Sequence, residues 1–173
     1  MTLQHHSEGP VEKTERVIEL LRKFDTATLV TRTPSGPLHG RPMAIASVEN
    51  DGTVWFVTDE TSQKMAEIAA DARVLVSLQS SDRFLTANGE VTIVKSQQKV
   101  RELWKESYKL WFDNENDPTI VLLRFTPEDA EYWDTSGIRG LKYAFRAAKA
   151  FLTGDKDKAK KETDPEVHGK VSS

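Results

Sequence analysis

"LHGRPMAIASVENDGTVWFVTDETSQKMAEI", residues 38–68, decides the fold. "LHGRPMAIASVE" and "TVWFVT" both carry the period of two that a strand imposes. Between them lie Asn50, Asp51 and Gly52, and Asp-Gly between two such runs predicts a hairpin. The two strands are therefore antiparallel neighbours. After Thr58 the pattern changes: "TSQKMAEIAADA" has helical spacing and predicts a helix of about three turns, with Thr61 or Ser62 as its N-cap.

Working outward, "TATLVTRT" is a short β-branched run closed by the turn Pro34-Ser35-Gly36-Pro37. Before it, Val11, Val17, Ile18, Leu20, Leu21 and Phe24 recur along one side of a helix that Pro10 can begin. Downstream, "RVLVSLQ" and "FLTANGEVTIVK" predict strands on either side of the turn "SSDR". "SQQKVRELWKESYKLWF" predicts a helix, "DNENDP" breaks it, and "TIVLLRFTPEDAEYWD" predicts a last long strand. "GLKYAFRAAKAFLTG" reads as an amphipathic helix stopped by Gly154. Six strands with short links and helices between them predict a mainly β chain, an antiparallel barrel with helices at its ends. A doubly wound parallel sheet would need a helix after nearly every strand, and neither GxGxxG nor GxxxxGK[ST] occurs. The expected divisions are a flexible N-terminus over 1–10, one domain over 11–154, and a charged, mobile tail over 155–173.

With 173 residues, 38% of them hydrophobic and 29% charged, the chain suits one soluble domain. No apolar run approaches the roughly 18 residues that would span a bilayer, and no secretory signal is expected from "MTLQHHSEGP". The absence of cysteine excludes disulfide and thiolate chemistry and fits a reducing, cytoplasmic compartment. Net charge is −3 with acids and bases well mixed, so neither nucleic acid nor a membrane is an expected partner.

"TDETSQK", where strand meets helix, gathers Thr58, Thr61, Ser62 and Lys64. Hydroxyls there can cap the helix. A lysine in the first turn, however, meets the positive end of the helix dipole, an unfavourable placement that a bound phosphate would reverse. Both readings, plain cap and anion site, fit the residues. On the preceding strand Arg41 shares a face with Met43 and Ile45, so it needs an anionic partner or an exit to solvent. Pro42 removes a ladder donor beside it. Among the large rings, Trp111 and Trp133 flank polar breaks, where an aromatic can cover a flat ligand or a partner subunit.

No HExxH, calcium loop or GxSxG occurs, and His39 and His168 stand alone. The acidic residues lie mostly in Lys-rich segments that read as solvated faces. No side chain stands out as acid, base or nucleophile, so any redox chemistry would come from a cofactor.

Three pieces in this order, "GRPMAIAS", "VWFVTDETSQKMAEIAADARVLVSL" and "AEYWDTSG" followed by "FLTGD", resemble the pyridoxamine 5′-phosphate oxidase-like flavoproteins, in particular their general stress protein branch. The resemblance covers about residues 11 to 154. It implies a six-stranded antiparallel split β-barrel with peripheral helices, and FMN (FAD being possible) held at the interface of a homodimer. Carried over by position, Arg41 and Lys64 would grip the FMN phosphate with Ser62 and Thr61. Pro42, Met43, Val57 and Thr58 would lie along the isoalloxazine and ribityl chain, and Trp111 and Trp133 would cover the ring, from the same chain or from the partner. The activity implied is an oxidoreductase passing electrons from a reduced nicotinamide to an acceptor. The alternatives are a flavin-binding module without turnover, or a split barrel that takes FAD, a deazaflavin or haem.

This chain departs from the oxidases at Ala46, where they carry a second phosphate-binding lysine, and at Phe84, where they carry a flavin-reaching glutamine. It also ends "HGKVSS" and lacks their arginine-rich terminal segment. The resemblance therefore implies FMN binding with fewer charges, without vitamin B6 oxidation.

Overall fold

A computed structural model describes residues 10–136 and 168–172. Helix α1 (Pro10–Leu21) leads into β1 (Thr26–Arg32), β2 (Leu38–Val48) and β3 (Val54–Asp59). Helix α2 (Gln63–Ala70) follows, then β4 (Arg73–Gln79), β5 (Arg83–Val94), α3 (Gln97–Leu103), a 3₁₀ turn (Glu106–Leu110), β6 (Ile120–Asp134) and β7 (His168–Ser172). The strands lie in the order β3-β2-β1-β4-β5-β6-β7, every pairing is antiparallel, and β3 also pairs β6. That last pairing closes β1 to β6 into the six-stranded barrel, with β7 added outside it.

The hairpin forms where Asp-Gly sits. Gly52 takes φ +86°, a left-handed value that favours glycine, and the Asp51 carboxylate accepts the Thr53 backbone N–H at 2.9 Å. Inward-facing Leu29, Met43, Ile45, Val76, Leu85 and Phe125 fill the barrel, and Leu20 and Leu21 of α1 join that cluster. A second cluster lies outside it: Trp55, Ile120 and Leu122 carry Val100, Leu103, Tyr108 and Phe112. Two apolar faces explain why "VWF" and "IVLL" are buried without alternation.

Three expectations change in detail. Helix α2 runs only eight residues, because Asp71 and Ala72 already turn the chain into β4. The expected helix over "SQQKVRELWKESYKLWF" is broken at Trp104 and Lys105, both extended. The break lets the Lys105 ammonium donate to the Ile45 carbonyl at 2.9 Å and lays Tyr108 and Phe112 against the barrel. Within the tail expected to be mobile, His168–Ser172 instead forms β7, paired with Asp129–Trp133. Gly169 permits it, since a Cβ there would sit 2.4 Å from the Tyr132 ring. The helix expected to end at Gly154 lies outside the described residues. Among the described residues no helix is long and apolar enough to cross a membrane.

Candidate functional site

Strands β2 and β3 part at a bulge between Ile45 and Ser47, and a groove of about 460 Å³ opens beside them. Pro42, Met43 and Ala44 form one wall, and Val57, Thr58 and Asp59 another. Tyr108, Trp111 and Phe112, from the 3₁₀ turn and the residues after it, form a third, and Lys64 of α2 stands at the end. The walls are mostly apolar with polar groups at one end, the character of a small-molecule site.

The polar end is built by the turn from β3 into α2. Lys64 Nζ donates to Thr58 Oγ1 at 2.8 Å and to Ser62 Oγ at 2.9 Å. Among the described residues it pairs with no carboxylate. Burial pushes the Lys64 pKa down, and the positive charge of Arg41 pushes the same way. Ser62 occupies the N-cap position of α2, but its side chain accepts no bond from the first-turn amides; its hydroxyl donates to the Asp59 carbonyl at 2.7 Å. Thr61 turns aside, giving both its N–H and its hydroxyl to Asp59 Oδ1 at 2.6 Å each. The helix mouth thus carries a cation and amides without a side-chain cap.

Arg41 has an anionic partner that the sequence does not announce. Its Nη2 donates to Glu67 Oε2 at 2.6 Å and its Nη1 to Thr31 Oγ1 at 2.8 Å. Thr31 also donates to Glu67 Oε2 at 2.5 Å, and His39 Nδ1 lies 2.9 Å from Oε1. Burial alone would raise the Glu67 carboxyl, but these hydrogen bonds and the Arg41 charge outweigh it and hold the pKa at about 2. Glu67 is therefore an ionised carboxylate in the interior. Its signal was its place on α2: Lys64, Glu67 and Ile68 share one helical face.

Of the residues singled out from sequence, Pro42, Met43, Val57, Thr58, Lys64 and Trp111 meet in this groove. Ser62 joins through Lys64, and Arg41 lies within electrostatic reach of Lys64. Thr61 is engaged with Asp59. Trp133 lines no part of the groove; it stacks on His168 with ring centroids 4.8 Å apart. Helical spacing alone does not bring Tyr108 and Phe112, the latter one of the large rings, to the groove; their place there follows from the break in the helix at Trp104 and Lys105.

The family model for pyridoxamine 5′-phosphate oxidase-like proteins matches residues 12–158. The chain belongs to this pyridoxamine 5′-phosphate oxidase-like family. General stress protein 26 of Bacillus subtilis is 26% identical over 121 residues, 66% of this chain and 84% of that protein. The crystal structure of General Stress Protein 26 from Bacillus anthracis has the same fold: its TM-score is 0.61 at 22% identity, over 68% of this chain and 92% of the other. The general stress FMN/FAD binding protein of Xanthomonas citri is 26% identical, with a TM-score of 0.62 over 73% and 92% of the two chains.

Proposed function

We propose that the groove binds FMN, with the isoalloxazine between the β2 and β3 walls and the phosphate at the mouth of α2. One observation carries this reading: Lys64, partly buried at a helix N-terminus without a side-chain cap, bonds only to hydroxyls and has no carboxylate within ion-pair distance among the described residues, Asp59 and Glu67 acting on it from farther off. A phosphate dianion would receive the ammonium and the free amides together. The residues present fit the group. Lys64 and Ser62 would hold the phosphate, and Arg41, steadied by Glu67, would stand beside them. Pro42, Val57 and Trp111 would offer apolar contact to a flat ring, and the Met43 main chain would run along it. The likeness to the Xanthomonas citri FMN/FAD binding protein supports the reading.

We read the chain as an oxidoreductase that passes electrons from a reduced nicotinamide to an acceptor. Bound flavin supplies the redox chemistry; the protein binds it, orients it and limits water around it. A homodimer suits this use, with Trp133 and Phe84, both partly exposed, presented to the second copy.

The test is mass spectrometry of the small molecule that copurifies with the protein, followed by addition of NADPH and then air. The mass of FMN, with bleaching and recovery of its yellow band, is the expected result. FMN without bleaching would leave a binding module, and FAD, a deazaflavin or haem would overturn the choice of cofactor.

A further inference from the structure

We propose that Tyr108 is a positioning residue for the ring that enters the groove, donating its hydroxyl hydrogen to an acceptor on the ring edge, a carbonyl oxygen or an unprotonated ring nitrogen. The proposal rests on the flavin reading above.

Tyr108 is 3% exposed and contributes to the groove wall, and its Oη is buried without a hydrogen-bond partner. Buried hydroxyls are nearly always paired, because leaving one unpaired forfeits the bonds it would make in water. An unpaired hydroxyl in the wall of a groove is therefore a donor whose acceptor comes with the occupant. The neighbouring walls explain why one is needed. The side chains of Pro42, Ala44, Val57 and Phe112 are apolar; they hold a flat ring by contact area but give it no direction. A single directed bond at one edge fixes which way the ring lies. Trp104 Nε1, also buried and unpaired, belongs to the ring edge-on to Tyr108 at 5.8 Å, but Trp104 lies outside the groove wall.

Tyr108 is in the middle of the 3₁₀ turn that the Trp104–Lys105 break releases from α3. Oη lies on the axis about which the ring flips, so a change in the Tyr108 χ1 angle, not a ring flip, is what brings Oη to the groove surface and gains the missing bond. Burial pushes the phenol pKa up, so the hydroxyl keeps its proton at neutral pH and acts as a donor.

The experiment compares wild type and Tyr108→Phe, both full-length and stripped of small molecules, titrated with FMN and with riboflavin. The expected result is a loss of about 3- to 10-fold in affinity for both ligands, the value of one neutral hydrogen bond. The visible flavin band should shift as well, while the ligand-free melting temperature is unchanged or higher, because the variant removes an unpaired polar atom. Unchanged affinity for both ligands would overturn the proposal and leave a purely structural tyrosine, or one satisfied by a trapped water. Loss for FMN alone would also overturn it, by placing Tyr108 at the phosphate. Wild type that binds neither ligand would overturn this proposal together with the flavin reading; wild type that binds both while Tyr108→Phe matches it overturns this proposal only.

Discussion

Arg41 on β2 and Glu67 on α2 are joined at 2.6 Å inside the protein, and Thr31 bonds to both of them. The carboxylate is almost fully buried while the guanidinium reaches solvent in part. The pair ties the helix that carries Lys64 to the strand that carries Met43, so it holds two sides of the groove at a fixed separation.

Removing this carboxylate should cost stability. Glu67→Ala leaves Arg41 without its partner and Thr31 without its acceptor, and should destabilise by about 2–3 kcal/mol, the lower end for breaking a buried pair because Arg41 is partly solvated. Chemical denaturation at neutral pH measures it. A change within about 0.5 kcal/mol would mean the network adds nothing net.

The same group predicts an acid dependence. Its pKa is depressed on folding, from the ordinary 4.5 to about 2, so its contribution is fully present above the unfolded value and is lost as pH falls toward the folded one. Between about pH 4.5 and pH 2 the loss from this group should approach about 3 kcal/mol. Glu67→Gln cannot titrate there, so the stabilities of wild type and variant should converge as the solution is acidified. Parallel curves would contradict the assignment.

β7 should depend on Gly169. Gly169→Ala drives a methyl into the Tyr132 ring, so the strand must lift or the fully buried ring must shift, at a cost of about 1–3 kcal/mol. Hydrogen exchange of residues 168–172 should rise in the variant while β1 to β5 keep their protection. Unaltered exchange in β7 would show that the ring can yield.

Exposed Leu110, Trp111, Phe84 and Trp133 are large apolar surface for a chain of this size, which motivates the homodimer. Sedimentation should give twice the 19.5 kDa chain mass. A monomer with flavin still bound would contradict it.

Much of this was legible in the sequence for a physical reason. Periodicity and turn chemistry are local, so "TVWFVT", its Asp-Gly hairpin and the switch to helical spacing at "TSQKMAEI" appear in the structure where the chain places them. Lys64 was legible too, because a cation in a first helical turn is locally unfavourable. The partners of Arg41 were not. They depend on register: Thr31 lies opposite His39 and Leu29 opposite Arg41, and only that pairing, with α2 packed above, brings Glu67 to Thr31, His39 and Arg41 together. Tyr108 was hidden likewise, since helical spacing through "KESYKLWF" gives no warning that Lys105 leaves the helix to reach the Ile45 carbonyl beside the β2 bulge. Thr61 looked like a cap or an anion ligand, but Asp59, two residues away, takes its hydroxyl first.

The measurement that bears most directly on the account is the ratio of FMN to riboflavin affinity in wild type and in Lys64→Ala. The two ligands differ only in the phosphate, so the ratio isolates what the helix mouth contributes. Wild type should prefer FMN, and the variant should lose about 10- to 100-fold of that preference, one charge-assisted hydrogen bond, with riboflavin binding unaltered. An equal ratio in the two proteins would mean that no phosphate sits at Lys64.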